Sequence, residues 1–251
     1  MKQFLVPDGC ARQPLFRVEG ENYHYLKDVR RCRVGDAFVG TDGQGVHFDL
    51  TVLRDDHQSL LIKARQVAMH PRNAARLRIT LYQCLLKGRK MDQVIRQSTE
   101  AGVDRIVPLI GTHVVAKLSA ETVQKRRERW LRVAREALQQ SDCSYLPHID
   151  LPLPFQRAVD TGFEGVGLFF HEQRLEGPTL HCLLADDPAA VSILVGPEGG
   201  LSAAEVAALF AAGFSRVSLG DTVLRAETAA LAAIAAVRVV LRERNSWQPV
   251  A

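Results

Sequence analysis

The sequence predicts an α/β domain with a mostly parallel sheet, preceded by a small β unit. Three observations carry this reading. Residues 4–67 run as short apolar segments divided by turn residues. From residue 77 onward, apolar runs of strand length alternate with stretches of helical period. Two of the later runs, 166–170 and 191–195, are rich in β-branched and aromatic residues, the composition of strands covered on both faces. With 251 residues, 47% of them hydrophobic, the chain can bury a sizeable core as one large domain with a small companion.

In chain order, residues 37–41, 46–53 and 59–67 read as antiparallel strands, with Asp42-Gly43-Gln44-Gly45 and Asp55-Asp56 as the turns. Residues 23–29, followed by Arg30, Arg31 and Arg33, form a short helix ending at Val34-Gly35-Asp36. Met69-His70-Pro71-Arg72-Asn73 marks the boundary, because a proline among polar residues interrupts the pattern and the period changes beyond it. Residues 77–86 are a strand. Residues 91–101 are a helix with Met91, Val94 and Ile95 inward and Gly102 as its stop. After a strand at 106–110, Ser119 caps a long helix to Gln140, with Val123, Trp130, Ala134, Ala137 and Leu138 on one stripe. Lys125, Arg126, Arg129 and Arg132 face elsewhere. Ser202 with Glu205 is a capping box for a helix to Ala212, which Gly213 ends. A last strand at 216–219 precedes an alanine-rich helix at 228–244.

Composition removes several function classes. No apolar run approaches the roughly 20 residues that cross a bilayer, and residues 1–7 lack a signal-peptide pattern, so the expectation is a cytoplasmic protein with no membrane partner. The five cysteines, Cys10, Cys32, Cys84, Cys143 and Cys182, are widely spaced with no C-x-x-C pair, and the eight histidines form no H-E-x-x-H. Neither a disulfide framework nor a bound metal is expected. The formal charge of +4 conceals an asymmetry: residues 73–135 carry 14 basic and 5 acidic side chains, residues 136–251 carry 7 and 14. Such a basic middle is a footprint for a polyanion, or else a solvated face balanced by the acidic C-terminal part.

Two segments carry the chemistry. The 191–195 strand runs into Gly196-Pro197-Glu198-Gly199-Gly200 and then a capped helix, so a ligand can approach the main chain closely where no side chain intervenes. The bland alternative is a tight turn. Some 20 residues later, Ser218-Leu219-Gly220-Asp221-Thr222-Val223-Leu224-Arg225-Ala226-Glu227-Thr228-Ala229 repeats the arrangement at another strand end. There Arg225 and Glu227 are either functional or an ion pair at a helix start. A third strand end, Phe169-Phe170-His171-Glu172, is another wall, although His171 alone reads as a structural histidine. Neither G-x-x-x-x-G-K-[ST] nor G-x-G-x-x-G is present, which disfavours a kinase or dehydrogenase.

These residues resemble a known family. Val195-Gly196-Pro197-Glu198-Gly199-Gly200, Ala212-Gly213-Phe214, Leu219-Gly220 and Leu224-Arg225-Ala226-Glu227-Thr228-Ala229 are similar to the C-terminal signature of ribosomal RNA small subunit methyltransferase E, within the SPOUT methyltransferases. The likeness extends through Lys87-Gly88-Arg89-Lys90-Met91-Asp92, Thr99-Glu100-Ala101-Gly102-Val103, residues 114–119, His24-Tyr25-Leu26, Arg31 and Val34-Gly35-Asp36. It implies a PUA-like β-barrel over 1–70 that binds RNA and a SPOUT domain over 74–246 with a trefoil knot, an exception to unknotted connection. It also implies S-adenosyl-L-methionine (SAM) as cofactor, a homodimer, and methylation of a 16S rRNA uridine at N3 in the small ribosomal subunit.

Carried over by position, Phe170, Leu194, Gly196, Pro197, Gly199, Gly200, Leu219, Gly220, Leu224 and Thr228 should line the SAM site, and Arg31, Lys87, Arg89 and Lys90 should face RNA. The family usually has Arg at His113, Glu at Gln139 and Arg at Cys143. These departures bear on RNA or partner-subunit contacts and leave the cofactor loops untouched. The chemistry requires a cation for the developing uracil anion, assigned to Arg225, and a proton acceptor among Glu198, Glu172 and Glu227. Rival readings are a SPOUT methyltransferase acting on tRNA or a ribose 2′-OH, and a non-catalytic ribosome-assembly factor that only binds RNA.

Overall fold

The computed structural model describes residues 3–9, 13–69, 77–114, 119–141, 143–171 and 178–243. Cys10, most of the expected boundary at 69–73, residues 115–118, Asp142, Glu172 and the end of the last helix at Arg244 lie outside them. The chain forms two compact units, one of Met1–Asn73 with Arg135–Leu146, the other of Ala74–Ala134 with Pro147–Ala251.

The first unit is a five-stranded sheet built from β1 (Phe4–Leu5), β2 (Leu15–Glu19), β3 (Ala37–Thr41), β4 (Val46–Asp55) and β5 (Ser59–Met69), in the order β1-β3-β4-β5-β2. The pairing is antiparallel as expected except at one edge, where β1 runs parallel to β3. Asp42 closes the β3–β4 hairpin: its Oδ1 accepts from the backbone N–H of Gln44 (2.7 Å) and Val46 (3.0 Å). Alternation in β4 and β5 turns Phe48, Leu50, Val52, Leu60 and Ile62 inward onto Phe4, Phe16 and Val18. Between β2 and β3, α1 (Gly20–His24) runs on as a π-helical turn (Tyr25–Val29) and buries Leu26 in the same core.

Residues 135–146, placed by sequence in the second domain, cluster instead with this first unit. Hydrogen bonds supply the reason: Gln3 Nε2 donates to the carbonyls of Leu138 (2.8 Å), Ser141 (3.0 Å) and Cys143 (2.8 Å), and Leu146 N donates to Gly43 O (2.9 Å). Gln139, at a position of departure, accepts from Leu5 N at 3.4 Å, and the Cys143 thiol donates to Tyr145 O at 3.3 Å. Both departures therefore make contacts inside the unit.

The second unit is a seven-stranded sheet, parallel at every pairing, as its apolar runs predict. Its elements are β6 (Arg78–Cys84), α2 (Lys90–Glu100), β7 (Arg105–Ile110), α3 (Ala120–Gln140, passing into the first unit at Arg135), β8 (His148–Ile149), β9 (Leu153–Pro154), α4 (Phe155–Thr161), β10 (Val166–Phe170), α5 (Leu180–Leu183), β11 (Ala190–Val195), α6 (Ala203–Ala211), β12 (Ser215–Val217) and α7 (Ala226–Glu243). The strand order is β12-β10-β11-β6-β7-β8, with β9 also on β7. One face carries Tyr82, Cys84, Val107, Leu109, Phe169 and Leu194, packed with Phe155 and Ala158 of α4 and Leu209 of α6. Alternate residues such as Leu81 and Ile193 point the other way, where α7 packs on β6 and β11 and against α2.

Helix ends follow the expected chemistry with small shifts. Ser202 and Glu205 form the full capping box, Ser119 Oγ accepts from Thr122 N (3.2 Å), and Arg238 Nη2 caps the end of α2 through Gly102 O (2.6 Å). The last strand is shorter than predicted, ending at Val217, so that Ser218, Leu219 and Gly220 belong to a loop. Correspondingly α7 begins at Ala226, two residues early. The short elements β8, β9, α4 and α5 are additions to the predicted pattern.

Candidate functional site

Three parallel strands bring their carboxyl ends to one place. The β10–β11 register sets Phe170 beside Val195, and the β10–β12 register sets Phe170 beside Val217. The chain leaving each strand therefore departs from the same edge, where open α/β sheets bind ligands. There a cavity of about 580 Å³ opens. This is the range, about 300–1,000 Å³, of small-molecule sites. Phe170, Val195, Leu201, Leu219, Leu224 and Ala229 give it apolar walls, while Lys90, Glu198 and Arg225 give it charge.

The residues that sequence assigned to cofactor binding divide in two. Phe170, Gly196, Pro197, Gly200, Leu219, Gly220 and Leu224 line the cavity. Leu194 does not: it is fully buried in the core, paired across strands with Tyr82 and Phe169. Nor does Gly199, whose absent Cβ makes room for His113, 3.2 Å from where it would stand. Thr228 is exposed on the first turn of α7, its N–H bonded to Arg225 O at 2.9 Å. Further lining residues escaped the sequence reading, among them Leu201, Thr222, Val223 and Ala226. Thr222, Val223 and Ala226 fall inside the quoted loop segment, so that segment's continuity was the available signal.

Of the proton-acceptor candidates, Glu198 is in the cavity wall, its Oε1 accepting from Lys90 Nζ (3.0 Å) and Lys87 N (3.2 Å). Burial pushes its carboxyl up, but hydrogen bonds from its own N–H, Lys90 and Lys87 outweigh that and hold it below the usual carboxylate range. Glu227 is buried behind the wall. Its Oε2 has no hydrogen-bond partner and lies 3.9 Å from Lys90 Nζ. The alternative of an Arg225–Glu227 ion pair is not what forms: the cation beside Glu227 is Lys90, and Arg225 stands exposed at the cavity. Glu172 lies outside the described residues.

The residues expected to face RNA also separate. Lys90 points into the cavity between two carboxylates, whereas Lys87 and Arg89 are exposed on the approach to α2. Arg31 is exposed in the first unit, with φ of +58°.

A second layer of contacts fixes the cavity loops. Gln83, fully buried, donates from Nε2 to Val195 O and Gly196 O, both at 3.4 Å. Glu205 accepts from Ser202 N and from Thr112 N, both at 2.8 Å, tying the segment after β7 to the start of α6. His113 reaches Gly200 O through Nδ1 at 3.0 Å, a role that explains a histidine at this position of departure. The Cys84 thiol is pushed up by burial and by the Glu205 carboxylate, which leaves it inert. Among the described residues no group of three or more metal-ligating side chains gathers, and no helix is long and apolar enough to cross a membrane.

Comparison with known proteins agrees with this geometry. A model of the RNA methyltransferase domain family matches residues 73–238. Ribosomal RNA small subunit methyltransferase E of a Synechocystis species is 34% identical over 87% of this chain and 71% of its own length. That of Mycobacterium bovis is 32% identical over 89% and 86%. The crystal structure of ribosomal RNA small subunit methyltransferase E from Neisseria gonorrhoeae, bound to S-adenosyl methionine, superposes with a TM-score of 0.80 at 25% identity, covering 96% of this chain and 98% of that one.

Proposed function

The chain belongs to the ribosomal RNA small subunit methyltransferase E family, and from that premise we propose that it carries the methyl group of SAM to N3 of one uridine in 16S rRNA. The observation that carries the reading is the coincidence, in one cavity at three strand ends, of a nucleoside-sized apolar slot with the charged set Lys90, Glu198 and Arg225. The residues fit the cofactor. Gly200 (φ +71°) and Gly220 (φ +113°) have no heavy atom within 4 Å of a hypothetical Cβ, so a ligand can lie directly on both loops. Phe170, Leu219, Leu224 and Ala229 offer surface for an adenine.

Bound there, SAM supplies an electrophilic methyl carbon. The protein must align the uracil with it and remove the N3 proton. That proton has a pKa of roughly 9, so ionisation near pH 7 costs about 3 kcal/mol. Arg225, exposed at the cavity without a carboxylate partner among the described residues, stabilises the charge growing on the uracil oxygens. Glu198, held ionised by Lys90 and the Lys87 N–H, is the carboxylate in the cavity wall that takes the proton as Arg225 stabilises the uracil anion and makes N3 more acidic. Lys90 fixes Glu198 and stands 3.9 Å from the buried Glu227 carboxyl.

Beyond the cavity, we take the second unit to be a knotted SPOUT domain and the first a PUA-like RNA-binding barrel. Arg31, Lys87 and Arg89 meet RNA, and two copies of the chain form the working enzyme in the cytoplasm. The test is methylation of small subunits from a strain lacking the enzyme, using SAM with a labelled methyl group, followed by mass spectrometry of nucleosides. Labelled N3-methyluridine is expected from 16S rRNA. Arg225→Ala should lower its rate by about 10²–10³ with SAM affinity unchanged. Label in a ribose 2′-O-methyl group, or in tRNA added in a parallel reaction while the small subunit stays unlabelled, would reject the proposal.

A further inference from the structure

A second cavity, of about 520 Å³, lies on the opposite side of the second unit's sheet order, against β7, β8 and β9 rather than β10, β11 and β12. Its chemistry differs from the first. Three arginines from separate elements line it: Arg105 at the start of β7, Arg127 on α3 and Arg157 on α4. His148 and Tyr82 join them, and the one carboxylate in the lining is Asp150.

That carboxylate is already engaged. Asp150 Oδ2 accepts from Arg105 Nε at 2.7 Å, and Oδ1 lies 3.0 Å from His148 Nε2. Arg127 uses Nε on the Ile149 carbonyl at 2.9 Å, a bond that orients the guanidinium without neutralising it. Among the described residues no acidic side chain pairs with Arg127 or Arg157. The cavity thus holds more fixed positive charge than its protein partners cancel. Two arginines without carboxylate partners in the lining of one cavity suit oxyanions, phosphates above all, whose oxygens accept from the guanidinium fork. Val107, Leu153 and Ala158 supply apolar wall beside them, and the ring of Tyr82 is held edge-on by Phe163 at 4.7 Å.

We propose that this cavity binds a phosphate group of the RNA strand, at a point separate from the methyl-transfer cavity. The choice of a polymer phosphate rests on the reading of the chain as an rRNA methyltransferase and on α3 beside the cavity, which also carries Arg126 and Arg132, for which no acidic partner stands among the described residues, whereas its Lys125 is paired with Glu121. Arg127 and Arg157 make the phosphate contacts, and Arg105 with Asp150 and His148 forms the fixed wall behind them.

The test compares wild type, Arg157→Gln, Arg127→Gln and the double variant for binding of a fluorescein-labelled single-stranded 16S rRNA fragment, by anisotropy across a salt series. SAM affinity is measured in parallel by calorimetry. Each lost phosphate contact should lower the slope of log affinity against log salt by about one, and the double variant should bind RNA at least 10-fold more weakly at low salt. SAM affinity should not change. Inorganic phosphate at millimolar concentration should compete RNA from wild type more effectively than from the double variant. Wild-type RNA affinity and salt slope in the double variant, with its fold intact by circular dichroism, would overturn the proposal. So would tight phosphate binding at the site with no effect on RNA. Because RNA and SAM binding are read separately, a wild type that binds RNA but transfers no methyl group counts against the methyl-transfer reading alone.

Discussion

Lys90 shows how far a residue's role depends on its neighbours. Sequence placed it with Lys87 and Arg89 as an RNA contact, but its ammonium stands 3.0 Å from Glu198 and 3.9 Å from Glu227. Removing that charge leaves two carboxylates facing each other across the space it filled, so the proton affinity of Glu198 must rise. Lys90→Met is therefore expected to move the acidic limb of the methylation pH profile upward, whereas an RNA contact alone would alter only KM. Glu205 makes the complementary case for stability. Burial raises its carboxyl, but the hydrogen bonds from Ser202 and Thr112 outweigh this and leave it below its ordinary 4.5. A depressed folded value means that its stabilisation is complete above the ordinary carboxylate range and is lost as pH falls through the folded value. Glu205→Ala should cost about 3 kcal/mol at pH 7, from the lost cap and the unpaired Thr112 N–H. The gap to wild type in urea melts should narrow below pH 4.5, and a pH-independent gap would contradict this account.

At the scale of elements, β10 is fixed as much by what Gly165 just before it and Gly167 within it lack as by what its side chains bury. Gly165 has φ of +70°, and a Cβ there would stand 1.9 Å from Ala190 O. Gly167 likewise leaves room for the Phe214 ring, 2.6 Å from its hypothetical Cβ. Gly165→Ala should cost on the order of 3 kcal/mol or prevent folding, since both the backbone conformation and a main-chain neighbour oppose it. A urea-melt difference below about 1 kcal/mol would show that β10 can shift away from β11. Elements like β10 and β11 were legible in the sequence because burial on both faces demands uninterrupted apolar runs. The capping box at Ser202 and the stripe of α2 were legible for the same kind of reason, a local pattern with a local cause. The two-residue strands β8 and β9 were not, because pairing with β7 supplies what Leu153-Pro154 and His148-Ile149 do not signal themselves. The placement of residues 135–146 was equally hidden, since it depends on Gln3, more than 130 positions away.

For the whole molecule, the candidate site was legible as loops but not as a space. The segments holding Gly196 and Gly200, and Leu219 and Leu224, could be found because glycine and small-residue stretches after apolar strands mark ligand loops, and the family resemblance then singled out these residues within them. Leu194, in contrast, could not be told from a lining residue, because facing the core or the cavity depends on which helices cover each side of β11. All the residues around the cavity lie within the second unit, and this gives ligand binding a spatial signature. SAM at 100 times its Kd should stabilise the unit that holds it by about 2.7 kcal/mol. For a unit of this size that corresponds to a rise of about 5–10 °C in its melting temperature. Hydrogen exchange should slow at Gly196, Gly200, Leu219, Gly220 and Leu224, whose loops are ordered by the ligand, and should stay unchanged in β3, β4 and β5, which contribute nothing to the cavity. Uniform protection across both units would mean that binding acts through global stability rather than at these loops. Protection confined to β7, β8 and β9 would instead move the cofactor to the second cavity, and with it the whole assignment of the first.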